Sequence, residues 1–146
     1  MISKRSHTII VCDDKSDSVS ALIECLRDSD YHVITASHGV EAIALYELHR
    51  PDLIISNFFM PRLGGVEIVS YLCRSYPAMK SILMTDSVEI SRSLIAHQLD
   101  AHATVYLIEK SAGTIELVST VHLMLLHKGR RDQKLNYRAS FSERLN

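Results

Sequence analysis

The stretch Pro51-Asp52-Leu53-Ile54-Ile55-Ser56-Asn57-Phe58-Phe59-Met60-Pro61 decides how this chain is expected to fold. Its apolar run, Leu53 to Ile55, is short, continuous and rich in β-branched residues. Such runs are typical of strands in a parallel sheet that is covered on both faces. Because the run leads straight into Ser56 and Asn57, the predicted strand ends in polar side chains.

Four other apolar runs are similar and are predicted to be strands: Thr8–Cys12, Tyr31–Thr35, Ser81–Met84 and Thr104–Ile108. The segments between the runs have apolar residues at helical spacing. The predicted core-facing stripes are Val19, Leu22, Ile23 and Leu26; Val40, Ile43, Ala44 and Leu48; Val66, Val69, Leu72 and Cys73; and Leu117, Val118, Val121, Met124 and Leu125. A weaker stripe predicts a lightly anchored helix between Val88 and Leu99, with Ile90, Leu94 and Ile95.

This alternation of five strands and five helices predicts an α/β fold. Strands that are separated by helices of this length pair in parallel through right-handed crossovers. The usual five-stranded solution is a doubly wound, flavodoxin-like sheet in the order 2-1-3-4-5 with helices on both faces. We expect one domain over residues 8–127, an N-terminal tail over residues 1–7, and a basic tail or helix extension over residues 128–146.

Composition narrows the function classes. Hydrophobic residues make up 47% of the chain and charged residues 23%, with a formal net charge of -1, so nothing favours a nucleic-acid or membrane partner overall. No apolar run approaches the roughly 18 residues of a membrane span, and the polar N-terminus lacks a secretory signal, which predicts a cytoplasmic protein. The eight histidines form no metal-binding pattern, and we expect reduced thiols at Cys12, Cys25 and Cys73.

Polar residues follow the predicted strands at the edge where folds of this kind bind ligands, which is the crevice between the first and third strands. Asp13 and Asp14 end the first strand, and Asn57 ends the third. Two adjacent carboxylates leaving a buried strand are costly unless a cation compensates them, and Mg²⁺ uses one or two carboxylates while keeping several waters. The fourth and fifth strands add the hydroxyl of Thr85 and the ammonium of Lys110.

With these residues, the chain resembles the receiver domain of two-component response regulators over roughly residues 7–127. The matching motifs are Ile10-Val11-Cys12-Asp13-Asp14, the stretch from Pro51 to Pro61 with Gly65 after it, Ile82-Leu83-Met84-Thr85, and Lys110. The stretch from Pro51 to Pro61 is the most specific of them. Family members have an aspartate at its seventh position, which is Asn57 in this chain.

The resemblance implies a mechanism. In the family, the phosphohistidine of a sensor histidine kinase donates its phosphoryl group to that aspartate, with Mg²⁺ bound beside it and no organic cofactor. The implied Mg²⁺ ligands are Asp13, Asp14, Asn57 and the backbone carbonyl of Phe59. The implied phosphoryl-contact and switch residues are Thr85, Lys110 and, at the position of a switch aromatic, Leu107.

Four departures from the family pattern indicate an atypical receiver. An amide oxygen is a poor nucleophile, so Asn57 is not expected to take a phosphoryl group, and the loss of one carboxylate weakens the Mg²⁺ site. Asp86 replaces the small residue that usually follows the hydroxyl residue, here Thr85. Its carboxylate would narrow the path to the phosphoryl site and repel phosphate. Leu107 occupies the switch position, and Tyr106 is the residue before it. Because adjacent residues of a strand point to opposite faces, Tyr106 is expected to face away from the switch position. Ser111 stands where the family often has a proline joined by a cis bond. Because the bond before a serine strongly favours the trans form, a trans bond is expected here.

The leading hypothesis is therefore a single-domain receiver, not an enzyme, that acts through protein contacts without phosphorylation at Asn57. Its expected partners are a sensor histidine kinase, another signalling protein, or a second copy of the chain. The second copy would dock through the fourth helix, fifth strand and fifth helix, where the spare apolar residues are Leu123, Leu126 and Ile95.

The alternative is a conventional phospho-receiver in which an engineered change replaced the acceptor aspartate. A flavin or small-ligand binder is disfavoured because the loop from Asp13 to Asp17 has no glycine. Direct DNA binding is disfavoured because no helix-turn-helix follows.

Overall fold

The computed structural model of the chain describes residues 6–99 and 103–126, without the side chains of Ser16 and Ser18. One sheet contains the strands β1 (Thr8–Cys12), β2 (His32–Ala36), β3 (Leu53–Asn57), β4 (Lys80–Thr85) and β5 (Thr104–Glu109). The paired strands are parallel and their order is β2-β1-β3-β4-β5. The predicted fold class and strand order are confirmed.

A helix follows each strand and covers one face of the sheet. The helices are α1 (Ser20–Asp28), α2 (Gly39–His49), α3 (Gly65–Leu72), α4 (Val88–Gln98) and α5 (Gly113–Leu126), with short 3-10 turns at Ser16–Val19 and Lys110–Ala112. One buried cluster joins the sheet to α2, α3 and α4, and a second joins it to α1 and α5. In the described part of the chain, no helix is long and apolar enough to cross a membrane.

Side chains fix the start of the helices that border the carboxyl edge of the sheet. The Ser87 hydroxyl accepts a hydrogen bond from the backbone N–H of Ile90 at 3.3 Å, which caps α4. Glu67 Oε1 accepts from the backbone N–H of Gly64 at 2.8 Å, which caps α3. Each contact satisfies a backbone donor that a helix leaves unpaired at its N-terminus. These contacts therefore fix where the β3–α3 and β4–α4 loops end and the helices begin.

The predicted core stripe of α2 is wrong at both of its ends, although Ile43 in its middle packs against the buried cluster. Val40 is 68% exposed and Leu48 is 74% exposed, whereas Ala42 and Tyr46 are buried. Apolar residues lie around much of this helix, so their spacing alone does not distinguish its two faces. Tyr46 fills the space under the helix and packs on Tyr76, with 5.2 Å between the ring centroids.

The stripes predicted for α1, α3 and α5 are confirmed, since their apolar residues lie in the two buried clusters or pack against them. For the proposed dimer surface the outcome is mixed. Leu123 and Leu126 are exposed, but Ile95 is only 1% exposed and cannot contact a partner, because α4 turns this residue toward the sheet. The predicted tail over residues 128–146 lies outside the described residues, as does the N-terminal tail up to residue 5.

Candidate functional site

The carboxyl ends of β1 and β3 lie side by side because the two strands pair in parallel, with Cys12 opposite Ser56. Asp13, which follows β1, is 5% exposed, and Asn57, which ends β3, is 3% exposed. Asp14 is exposed, and its Oδ1 accepts a hydrogen bond from Asn57 Nδ2 at 3.4 Å. The structure therefore brings two carboxylates and one amide together at this edge.

The side-chain carbonyl oxygen of Asn57, Oδ1, is buried and has no hydrogen-bond partner among the described residues. Such atoms are rare in folded proteins, because each unpaired buried group costs about 1–3 kcal/mol. The neighbouring Asp13 is held in place: its Oδ1 accepts from the Lys15 backbone N–H at 2.7 Å, and its own N–H donates to the Ala36 carbonyl at 3.1 Å. An unpaired acceptor beside a fixed carboxylate suits a cation or a hydrogen-bond donor from outside the chain.

A cavity of about 170 Å³ opens at Asn57 and reaches residues of α1 and α5. Its polar lining includes Asp13, Asn57, Glu109 and Lys110, and its apolar lining consists of Val19, Leu22, Met84, Ile108 and Leu117. Lys110 begins the turn after β5 and is exposed. Asp13, Asn57 and Lys110 are thus three residues singled out from the sequence that share one cavity.

Thr85 ends β4, but its hydroxyl is held by α4. The residue is 2% exposed, and its Oγ1 lies 2.7 Å from Ser91 Oγ and accepts from the Ser87 N–H at 3.2 Å. Thr85 is absent from the residues that line the cavity at Asn57. Ser91 is not among the site residues predicted from the sequence. Its spacing from Val88 and Ile95, three and four residues away on the buried face of α4, would have revealed a polar residue in the core.

Leu107 and Tyr106 lie on opposite faces of β5. Leu107 is 0% exposed and belongs to the buried cluster that contains Val88 and Ile95 of α4. Tyr106 is half-buried and packs against the other cluster, on the side of α1 and α5. The expected opposition of these two side chains is confirmed.

The sequence also singles out Asp86, Ser111 and Phe59. Asp86 is exposed and does not line the cavity at Asn57. The bond before Ser111 is trans, because the described residues contain no cis peptide. Phe59 lies two residues beyond Asn57 with a 62% exposed side chain, and its ring packs on Phe58 with 4.8 Å between the centroids.

Gly65 lets the β3–α3 loop pass close to Asn57. A Cβ atom at this position would lie 2.6 Å from the Asn57 carbonyl oxygen and 2.6 Å from Leu83 Cδ2. The backbone N–H of Gly65 also donates to the Phe58 carbonyl at 3.0 Å. The absence of a side chain therefore fixes the shape of the loop beside the site.

Cys12 lies directly before the acidic pair but has no reactive thiol. Burial raises the pKa of the Cys12 thiol to about 12, so the thiol is protonated at neutral pH. Cys12, Cys25 and Cys73 form no disulfide with one another, as the sequence predicts.

Comparisons with known proteins agree with this fold. A model of the response regulator receiver domain family matches residues 9–122. The transcriptional regulatory protein PdtaR of Mycobacterium tuberculosis is 31% identical over 116 residues, which are 79% of this chain and 55% of that protein. The chain therefore spans about half the length of this curated relative.

Two solved structures extend the comparison. A receiver domain protein of Methanospirillum hungatei has a TM-score of 0.73 at 22% identity, covering 89% of this chain and 98% of that one, which shows the shared fold. The response regulator TrrA of Thermotoga maritima, in complex with Mg²⁺–BeF, has a TM-score of 0.70 at 26% identity, covering 81% of this chain and 98% of that one.

Proposed function

The chain belongs to the response regulator receiver domain family, and from that membership we propose that it is an atypical receiver, which takes no phosphoryl group at Asn57 and signals through protein contacts. Receiver domains act with histidine kinases and other signalling partners in two-component systems. One observation supports the proposal most: the polar residue that ends β3 beside the buried Asp13 is an asparagine. The lone pair of an amide oxygen is delocalised, so Asn57 does not attack phosphorus as a carboxylate does.

The same edge of the sheet is proposed to bind Mg²⁺ weakly. The unpaired Asn57 Oδ1 fits this ion, because Mg²⁺ prefers hard oxygen ligands. The proposed ligands are Asp13, Asp14, Asn57 and the Phe59 carbonyl, and a bound cation would neutralise the two carboxylates. Within the described residues, no group of three His, Cys, Asp or Glu side chains could hold a metal. Two carboxylates and a neutral amide imply a lower affinity than three carboxylates would give.

The proposed contact surface is the face formed by α4, β5 and α5. Its exposed apolar side chains include Ile90 on α4, 60% exposed, and Leu123 on α5, 59% exposed. Leu126, which is 73% exposed, lies instead beside the end of α1, where it lines a pocket with Asp30 and Tyr31. Exposed apolar residues of this size mark protein contacts when they cluster. A signalling protein or a second copy of the chain would cover them. A monomeric mass by analytical ultracentrifugation at millimolar concentration would rule out the homodimer.

A second candidate is a conventional phospho-receiver in which an engineered change replaced the acceptor aspartate by Asn57. The residues around the Asn57 amide favour this second candidate. Asp13 is buried beside Asn57, Lys110 lines the same cavity, and Asp86 lies outside that cavity. In this case Asn57 alone would silence an otherwise complete site.

Intact-mass spectrometry tests both candidates. The unchanged chain and the Asn57→Asp variant are incubated with Mg²⁺ and acetyl phosphate, and the double variant Asp13→Asn/Asn57→Asp is the control for the acidic site. We expect no phosphoryl group on the unchanged chain, and its appearance there would overturn the proposal.

The Asn57→Asp variant separates the two candidates. Uptake by this variant, lost in the double variant, means that Asn57 alone silences the site and favours the second candidate. No uptake by either variant means that the surroundings have diverged as well, which favours a receiver that works by protein contact alone.

A further inference from the structure

We propose that Ser91 is a positioning residue: its buried hydroxyl holds Thr85 on α4, so that the position of α4 does not depend on what occupies the cavity at Asn57. This inference deepens the proposed function and rests on it. Ser91 is 0% exposed and lies on the face of α4 that also buries Val88 and Ile95. A hydroxyl in such a place needs a polar partner, because burial without a hydrogen bond is unfavourable. Thr85 is that partner, at 2.7 Å.

The Thr85 hydroxyl has no capacity left for a ligand. A hydroxyl has one proton to donate and two lone pairs that accept. Thr85 Oγ1 has three polar neighbours: Ser91 Oγ at 2.7 Å, the Ser87 N–H at 3.2 Å and the Ser87 carbonyl oxygen at 3.3 Å. If Thr85 turned toward Asn57, these contacts would break, and the Ser91 hydroxyl would remain unpaired where solvent does not reach it.

The same contacts determine where α4 begins. Ser87 is the N-terminal cap of α4, and its backbone N–H and carbonyl both contact Thr85 Oγ1. Thr85 therefore binds this helix at its cap and again one turn further on, at Ser91. Leu107 packs in the buried cluster that contains Val88 and Ile95 of α4, and its side chain has no polar group that could replace these contacts. The β4 end and α4 are consequently joined by a hydrogen-bonded link.

This link lies one strand away from Asn57. In the sheet Asn57 pairs with Met84, and the Phe58 N–H donates to the Met84 carbonyl at 2.7 Å, so Thr85 ends the neighbouring strand. An occupant of the cavity would move Thr85 only by breaking its contact with Ser91. The exposed face of α4 is thus presented in one arrangement without phosphorylation, as a receiver that acts by protein contact requires.

A double-mutant cycle on the unchanged Asn57 chain tests the link. The variants are Ser91→Ala, Thr85→Val and both together, with Ser93→Ala as the control because Ser93 is exposed on the same helix. We expect Ser91→Ala to speed amide hydrogen exchange in α4 by about tenfold, with no change in β1. The double variant should be no worse than the more disruptive single variant, because both remove the same interaction.

Two results of this cycle would overturn the proposal. One is an additive effect of the two substitutions on α4 exchange. The other is a Ser91→Ala effect no larger than that of Ser93→Ala. Ser91→Cys separates packing from hydrogen bonding, since a thiol fills the volume of the hydroxyl but is a weak donor. It should behave like Ser91→Ala, and full recovery of wild-type exchange would show that volume alone matters.

A binding measurement supplies a readout that a merely structural serine would not change. In the Asn57→Asp background with Mg²⁺, beryllofluoride is the probe for a phosphoryl group. Ser91→Ala should raise its affinity about tenfold, because Thr85 then loses only its contacts with Ser87 and no longer leaves a buried Ser91 hydroxyl unpaired, whereas Ser93→Ala should not. Equal affinities for these two variants would overturn the proposal. If Asn57→Asp binds no beryllofluoride, the proposed acidic site fails instead, and the cycle still decides the role of Ser91.

Discussion

The side-chain amide of Asn57 donates to Asp14 Oδ1 at 3.4 Å, while its carbonyl oxygen has no partner among the described residues. An aspartate in this place would exchange that contact for repulsion between carboxylates. Without a metal, Asn57→Asp should therefore lower the free energy of unfolding by about 1–3 kcal/mol. Millimolar Mg²⁺ should reverse this loss, because a ligand that binds only the folded state stabilises it. Urea denaturation followed by circular dichroism, with and without Mg²⁺, measures both effects.

Gln98→Glu is the matched control for this prediction. It adds the same charge at an exposed position of α4, away from the cavity. Its stability should change by less than about 0.5 kcal/mol and should not respond specifically to Mg²⁺. Equal behaviour of the two variants would mean that net charge, rather than the acidic site, is responsible.

The fold was predictable because its strands are continuous apolar runs and most of its helices have one apolar face. In α2, apolar spacing does not predict the buried face. Val40 and Leu48 have helical spacing but are exposed, and Ala42 and Tyr46 are buried in their place. When apolar residues lie on more than one side of a helix, only its neighbours determine which side is buried.

Gly65→Ala should destabilise the fold by about 1–3 kcal/mol, because the new methyl group would lie 2.6 Å from the Asn57 carbonyl oxygen and from Leu83 Cδ2. Thermal or urea denaturation measures the loss. Ser119→Ala is the control, since Ser119 is exposed on α5. A Gly65→Ala change as small as that of the control would mean that the loop yields without strain.

Leu107→Tyr should cost about 1–3 kcal/mol, because Leu107 is fully buried and a larger side chain would overpack the core under α4. The resulting displacement should appear as NMR chemical-shift changes in α4. Leu107→Met keeps the volume and should cost less than about 1.5 kcal/mol. If Leu107→Tyr left stability and the α4 shifts unchanged, the position would already have room for an aromatic switch.

The site was predictable only in part. Strand order and strand ends put Asp13, Asn57 and Lys110 on one cavity, and all three follow from the sequence. The direction of the Thr85 hydroxyl does not follow from the sequence, because it depends on Ser91, a residue of α4. Rotamers and hydrogen bonds between elements are set by packing, which strand and helix patterns do not contain.

Alkaline pH should destabilise the fold through Cys12. Burial raises the pKa of this thiol from 9.0 to about 12, so the folded state keeps a proton that the unfolded state loses above pH 9. Stability should be unaffected well below pH 9 and should fall as the pH rises through 9 toward 12, with a loss on the order of 1 kcal/mol at pH 10. Urea denaturation under reducing conditions at pH 8, 9 and 10 measures the loss.

Cys12→Ala should remove most of this pH dependence and Cys73→Ala should retain it. Burial also raises the pKa of Tyr46 to about 12 and raises that of Tyr31, but unfolded tyrosines titrate near pH 10, so the thiol accounts for the larger part of the loss between pH 9 and 10. A Cys12→Ala variant that lost stability across this interval as the unchanged chain does would assign the alkaline sensitivity to another group.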